Sequence, residues 1–227
     1  MAQPEIDKTA IRDASTVILW RRGASGPEVL MGQRGSSAAF MPDKFVFPGG
    51  AIDAGDGDVG LGGQPDATCL RRLALETDPV RVPALLAGAI REVWEETGLI
   101  LGQRAAWQPP NPDWESFAEA GFAPSAQGLS YVFRAITPPG RPRRFDARFF
   151  LVPATAVQGN AEDFTHACDE LRHLQWIPLV DVRDFDLPFI TTVVLAELAP
   201  LIARGGIPET VPFVRNDDVI MGITRLA

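Results

Sequence analysis

At 227 residues with 46% hydrophobic side chains, the chain is long and apolar enough to bury a full core as one domain with embellishments. A formal charge of −8 argues against a surface built to coat nucleic acid or an anionic membrane. The two cysteines, Cys69 and Cys168, stand far apart and outside any C-x-x-C spacing, which indicates neither a disulfide framework nor a zinc site.

Residues 1–13 are polar and charged without an apolar signal region, and no run of about 18 apolar residues follows. The expectation is a soluble, cytoplasmic protein with no membrane partner. Residues 15–20, rich in β-branched and aromatic side chains, read as a strand, and residues 28–34 as its return after a turn at 21–26. A loop at 35–43 leads to a short strand at 44–47, closed by Pro48-Gly49-Gly50, a sequence that suits a turn or a close backbone approach to a ligand.

Residues 51–66 are rich in Gly and Asp and read as an exposed loop, with a short helix at 67–76; Pro79 and Pro83 then break the pattern. From 84 onward Leu85, Leu86, Ala89, Ile90 and Val93 recur at helical spacing, which sets the following acids largely off the apolar stripe. Gly98 stops this helix. Residues 103–128 read as irregular around one short helix at 113–120. Strands are expected at 129–136, 148–152 and 173–177, and a structural helix at 187–203. The tail from Pro212 carries no recognisable chemistry.

The chain's most informative stretch is Arg91-Glu92-Val93-Trp94-Glu95-Glu96-Thr97-Gly98-Leu99. On a helix Glu92 and Glu96 lie one turn apart with Glu95 beside them, so three like charges share a face and repel. Two readings fit: a solvated acidic face ending at a glycine cap, or the seat of a hard divalent cation such as magnesium, which prefers carboxylate oxygens.

Taken with Phe45-Val46-Phe47-Pro48-Gly49-Gly50, the acidic stretch resembles the Nudix hydrolase family, whose box is G-x5-E-x7-R-E-U-x-E-E-x-G-U with U bulky and aliphatic. The second half matches at every fixed position. The first half departs twice. Gly50 plus five residues reaches Asp56 rather than Glu, and residues 57–90 stand where the box has seven, an insertion of 27. The split box, the phrase from Gly35 to Gly50, and Arg144-Phe-Asp-Ala-Arg-Phe-Phe150 are similar to the branch that includes the mammalian peroxisomal coenzyme A diphosphatase. Of that branch's signature Arg34 and Phe47 align, whereas Gly35, Ala39 and Asp43 depart.

The resemblance implies an α/β fold, a Nudix-type α/β/α sandwich with a mixed sheet. It also implies a single domain over 1–227: a core at about 14–185, an insertion inside the box at about 57–83, and a C-terminal helical extension at about 186–227. It implies metal-dependent hydrolysis of a diphosphate linkage in a nucleoside diphosphate conjugate, with coenzyme A or an acyl-CoA as the first substrate candidate. ADP-ribose, NADH or dinucleotide hydrolysis, or a non-catalytic nucleotide sensor, are the alternatives. Mg2+, or Mn2+, would be held by Glu92, Glu95, Glu96 and the Gly50 carbonyl. Arg91 would orient the acids, supported by Asp56. Glu92 is the first candidate base, with Glu170 or Asp169 behind it. Arg34, Phe40 and Arg148 are candidate substrate contacts, and a homodimer is common in the family. His166 and His173 read as structural, because a lone histidine far from a ligand cluster seldom binds metal.

Overall fold

The computed structural model describes residues 10–36, 38, 40–204, 208–217 and 219–227; most of the polar leader and the signature position Ala39 lie outside the described residues. Strands β1 (Ile11–Gly23) and β2 (Gly26–Arg34) form the expected hairpin, with Trp20 opposite Val29 and Gly23 opposite Gly26. Strand β3 (Phe45–Val46) joins β2, and β4 (Gly49–Ala51) pairs antiparallel with β1. Gly49 and Gly50 are therefore strand rather than turn, with a bend at Pro48. Gly49 has φ +154°, and a Cβ there would stand 2.5 Å from the Ser15 carbonyl oxygen, so glycine is what lets β4 lie against β1.

A short 3-10 turn at Asp56–Asp58 opens the insertion, which continues into α1 (Ala67–Leu73), capped by Asp66 accepting from the Thr68 and Cys69 amides. The insertion is not an exposed loop throughout: Val59, Cys69 and Leu73 enter the core. Helix α2 (Arg81–Thr97) starts before Pro83, which sits in the first turn, where an amide N–H would have no intrahelical partner anyway. After it come β5 (Gly102–Arg104), a 3-10 turn with α3 (Glu115–Glu119), and β6 (Phe122–Pro124), so a small β5–β6 ladder occupies the stretch that reads as irregular.

Strands β7 (Ser130–Ile136), β8 (Arg144–Pro153) and β9 (Leu171–Pro178), helix α4 (Phe189–Arg204), and strands β10 (Val211–Asn216) and β11 (Met221–Leu226) complete the chain. The end of the chain corrects the expected helical extension. Helix α4 is followed by strand rather than further helix from Val211, where β10 runs parallel to β7 and antiparallel to β11.

The sheet order is β11-β10-β7-β8-β1-β2-β3, with β4 on β1 and β9 on β2. Because β1 pairs parallel with β8 while most neighbours are antiparallel, the sheet is mixed. Alternate residues face opposite sides. Val17, Leu19, Leu30, Phe150 and Val152 pack towards α2, while Ile18, Val29, Met31, Phe149 and Leu151 pack towards α4. Two helical layers thus enclose one sheet, an α/β/α sandwich. Among the described residues no helix is long and apolar enough to cross a membrane.

Candidate active site

The acidic stretch occupies the last two turns of α2, which ends at Gly98 in a left-handed cap (φ +71°) whose N–H bonds the Trp94 carbonyl. This is the negative end of the helix dipole, so the carboxylates gather where negative charge is least welcome. They are not on a solvated face. Glu92 is 9% exposed and Glu96 2%, because β4 lies across this end of the helix. A Cβ on Gly50 would stand 2.5 Å from Glu92 Oε1, and the Gly49 N–H donates to Glu96 Oε2 at 2.7 Å.

Arg91 ties the two halves of the site together. Its Nε and Nη2 donate to Asp56 Oδ1 and Oδ2, both at 3.0 Å, a bidentate fork across the insertion. Nη1 donates to Glu92 Oε1 and Glu95 Oε2, and Nη2 also to the Ala51 carbonyl, each at 3.0 Å. Every N–H of the guanidinium thereby has an acceptor. The fork closes because the 52–56 segment crosses α2 at Gly88, where a Cβ would be 2.6 Å from Ile52 Cδ1 and 3.0 Å from Asp56 Oδ2. That close approach suits aspartate, one methylene shorter than the glutamate of the box.

The electrostatics reflect burial first. Desolvation pushes Glu92 up to about 7, with Glu95 and Glu170 adding and Arg91 opposing. Glu96 is raised well above the usual carboxylate range by burial and then by Glu92, with the Gly49 amide and Arg34 pulling the other way. Glu95 is raised more modestly, burial again outweighing Arg91. Burial by itself would loosen the proton on Arg91, but Asp56, Glu92 and Glu95 together hold it charged.

Whether these residues suit a cation is decided by donor chemistry. Glu92 and Glu96, with the backbone of Gly50 against the Glu92 carboxylate, offer oxygen only, the donor set of a hard divalent ion. Glu96 is nearly sealed from water, with the Gly49 amide as its hydrogen-bond donor, and a cation would relieve it. Among the described residues, however, no three acidic, His or Cys side chains converge into a ready metal cluster. Glu92 and Glu95 are instead turned towards Arg91 Nη1, so a three-carboxylate seat needs those two side chains to swing.

The other sequence candidates divide. Arg34 Nη2 donates to Glu170 Oε1 at 3.0 Å, and both bear electrostatically on Glu96, which sets them at the rim of the acidic site; Asp169 beside Glu170 is exposed. Phe40 packs edge-on against Phe145 at 5.4 Å. Arg148 corrects the expectation of substrate contact. It is 2% exposed and engaged with Asp13 and Asp146 beneath the start of α2, because its strand position faces the helix layer. His166 is exposed and stacks on Trp94 at 5.8 Å. Both cysteines are free thiols. Sequence reasoning missed the Gly49 amide, Asp53, which lies 3.4 Å from Arg91 Nη2, and Gly88. A glycine in mid-helix was the available signal for the last.

No family model matches the chain. It is 31% identical over 154 residues to a Caenorhabditis elegans protein provisionally named nudix hydrolase 7, a match covering 62% of this chain and 44% of the relative, so the chain spans less than half of that relative's length. Its backbone is similar to the crystal structure of a Nudix hydrolase from Alicyclobacillus acidocaldarius, with a TM-score of 0.65 and 26% identity over 88% of this chain and 97% of the other.

Proposed function

We propose that this chain, which has the Nudix fold, is a divalent-metal-dependent hydrolase of nucleoside diphosphate-linked compounds. The observation that carries the reading is the pair of buried carboxylates, Glu92 and Glu96, closed under Gly49–Gly50, with Glu92 bridged through Arg91 to Asp56. A structural helix end has no use for two buried acids that share one guanidinium contact, at Glu92, and one backbone N–H, at Glu96. A diphosphatase does.

Glu92 and Glu96, with Glu95 and the Gly50 carbonyl, would hold Mg2+ or Mn2+. A bound divalent ion neutralises the diphosphate and acidifies an attacking water. Arg91 fixes the rotamers of Glu92 and Glu95 and carries Asp56, so its role is positioning. Glu92 is the candidate base, its proton affinity raised by burial towards neutrality. Arg34, at the end of β2, and Phe40, on the loop leading to β3, are the candidate contacts for the remainder of the substrate.

Within the class, the sequence phrase from Gly35 to Gly50 favours coenzyme A or an acyl-CoA as substrate. The test is release of monophosphate products from coenzyme A, ADP-ribose, NADH and a diadenosine polyphosphate with Mg2+ or Mn2+, comparing wild type with Glu96→Gln. The variant should lose at least about a hundredfold, since even second-sphere changes at metal sites cost 10–100-fold. Turnover of ADP-ribose or NADH but not coenzyme A would move the substrate and keep the reaction. Nucleotide binding without turnover, indifferent to Glu96→Gln, would make the chain a sensor.

A further inference from the structure

We propose that the outer edge of β11 pairs with the same strand of a second copy of this chain, joining two sheets across a two-fold axis. This surface is separate from the acidic site. Strands β10, β7 and β8 stand between β11 and β1, which carries β4, a span of about 19 Å at the usual strand spacing.

Strand β11 ends the sheet and pairs with β10 alone among the described residues. Residues 221–225 are all exposed. The large apolar side chains Val219, Ile220, Met221 and Ile223 are 92%, 45%, 76% and 67% exposed, gathered at the hairpin turn and along the free edge. A soluble chain seldom leaves such a patch on a strand edge without a partner. Strand β9, which pairs with β2 alone among the described residues, is guarded differently. It exposes Arg172, His173 and Gln175, and its ladder shifts register between Met31 and Gln33, devices that discourage edge association. The ladder of β11 to β10 runs unbroken from Met221 to Leu226.

That ladder sets which groups face outward. Pro212 stands opposite Arg225, and the pairing of β10 with β7 begins only at Phe213, so the proline nitrogen points towards β7 where no N–H is required. Pro212 and Arg225 then form a non-hydrogen-bonded pair, and by alternation Met221, Ile223 and Arg225 turn their N–H and C=O groups to the open edge. Their side chains share the α4 face: Val214, opposite Ile223, packs into that layer, and Arg225 Nη2 donates to Glu197 of α4.

A second β11 fits these groups. With the strands antiparallel about a two-fold at Ile223, Ile223 faces its own copy and Met221 faces Arg225 of the second copy, each pair exchanging both backbone hydrogen bonds. Arg225 is already matched by Glu197, so no like charges meet. The neighbouring registers fail. Centred on Arg225, two guanidinium groups oppose one another. Centred on Met221, the pairing runs into residues 217–220, where Asp217 Oδ1 accepts from the Val219 and Ile220 amides and holds a turn. The two-fold stands normal to the sheet, so both α4 helices lie on one side and the apolar side chains of the two strands form a strip between them. One strand edge is a small interface, near the lower bound of about 1,000 Å² for a specific complex, which sets the affinity in the micromolar range.

In sedimentation equilibrium, wild type should pass from monomer to dimer between about 1 and 100 μM. Two substitutions of the same kind then read the register, both at exposed positions where the melting temperature of the dilute protein should not move. Ile223→Glu sets two glutamates opposite one another and should leave a monomer throughout that range. Met221→Glu sets a glutamate opposite Arg225 of the second copy and should retain the dimer within about tenfold in Kd, since opposite charges across a strand pair are mildly favourable. A wild type that stays monomeric or forms larger assemblies overturns the proposal. So does a dimer that survives Ile223→Glu, or one that Met221→Glu abolishes as fully as Ile223→Glu does.

Discussion

Asp56→Ala removes both acceptors of the fork that Arg91 makes across the insertion. The side chains are 4% and 2% exposed, so water cannot replace the lost carboxylate. Removing one partner of a buried pair costs about 3–5 kcal/mol, chiefly through the charge left behind. Here Glu92, Glu95 and the Ala51 carbonyl still face Arg91, which sets the expectation at the lower end, about 3 kcal/mol. At the urea m-values usual for small proteins, that shifts the unfolding midpoint down by about 1–3 M. The consequence for the site is separate. A guanidinium released from Asp56 holds Glu92 and Glu95 by itself, and kcat should fall more than tenfold under conditions where the variant is still folded. Asp56→Glu restores the residue of the box but crowds the crossing at Gly88, so it should also destabilise, by about 1–3 kcal/mol. An Asp56→Ala protein with the wild-type midpoint and wild-type kcat would refute the reasoning, because the fork would then bear neither on the fold nor on the acids.

Two further outcomes follow from the same geometry. Glu92 is held to about 7 in the fold against an ordinary 4.5, so the folded state binds the extra proton. Its contribution to metal-free stability is greatest below the ordinary value and is lost as pH rises towards 7, by about 3 kcal/mol in all. Thermal unfolding of wild type minus Glu92→Gln from pH 5 to 8 without metal should trace that loss, and millimolar Mg2+ should flatten it; a difference independent of pH would sink the assignment. Gly50→Ala would place a Cβ 2.5 Å from Glu92 Oε1, so the buried carboxylate that Arg91 holds must shift; stability should fall by about 1–3 kcal/mol, and Mn2+ affinity, read by calorimetry, at least about tenfold. Unchanged affinity would remove Gly50 from the metal site.

Much of the fold was legible where a period could be read. The β1–β2 hairpin, β7 and the apolar stripe of α2 alternate or recur strongly enough to declare themselves. Strands β4, β5 and β6 have three residues each and show no period; pairing partners distant in sequence create them. The C-terminal hairpin was missed for a related reason. Strand β10 carries Pro212, and β11 exposes Met221 and Ile223, so neither displays a clean inward face. At the site, the acids and Arg91 stood out through their spacing. Their burial did not, since it depends on β4 folding over the helix end. Arg148 was misplaced because a strand position alone does not reveal that Asp13 and Asp146 wait beneath α2 to receive it.

The box tolerates a long interruption because the insertion is anchored elsewhere. Cys69 and Leu73 of α1 enter the core, and the Arg72 guanidinium donates to the Pro208 and Glu209 carbonyls. Glu76 pairs with Arg215 of β10, and its carbonyl accepts from Arg134, which also grips Asp146. The insertion and the C-terminal hairpin thus brace one another, and neither loads the joint at Asp56. What must be conserved in space is short: residues 50–56 against residues 88–96, joined by a steric gap at Gly88 and a two-bond fork at Arg91. Loop closure grows costly only slowly with length, so the residues between those segments are free in number provided they dock. Shortening the insertion while retaining Arg72 and Glu76 should then leave the acids in place, whereas restoring the length of the box but filling Gly88 should not.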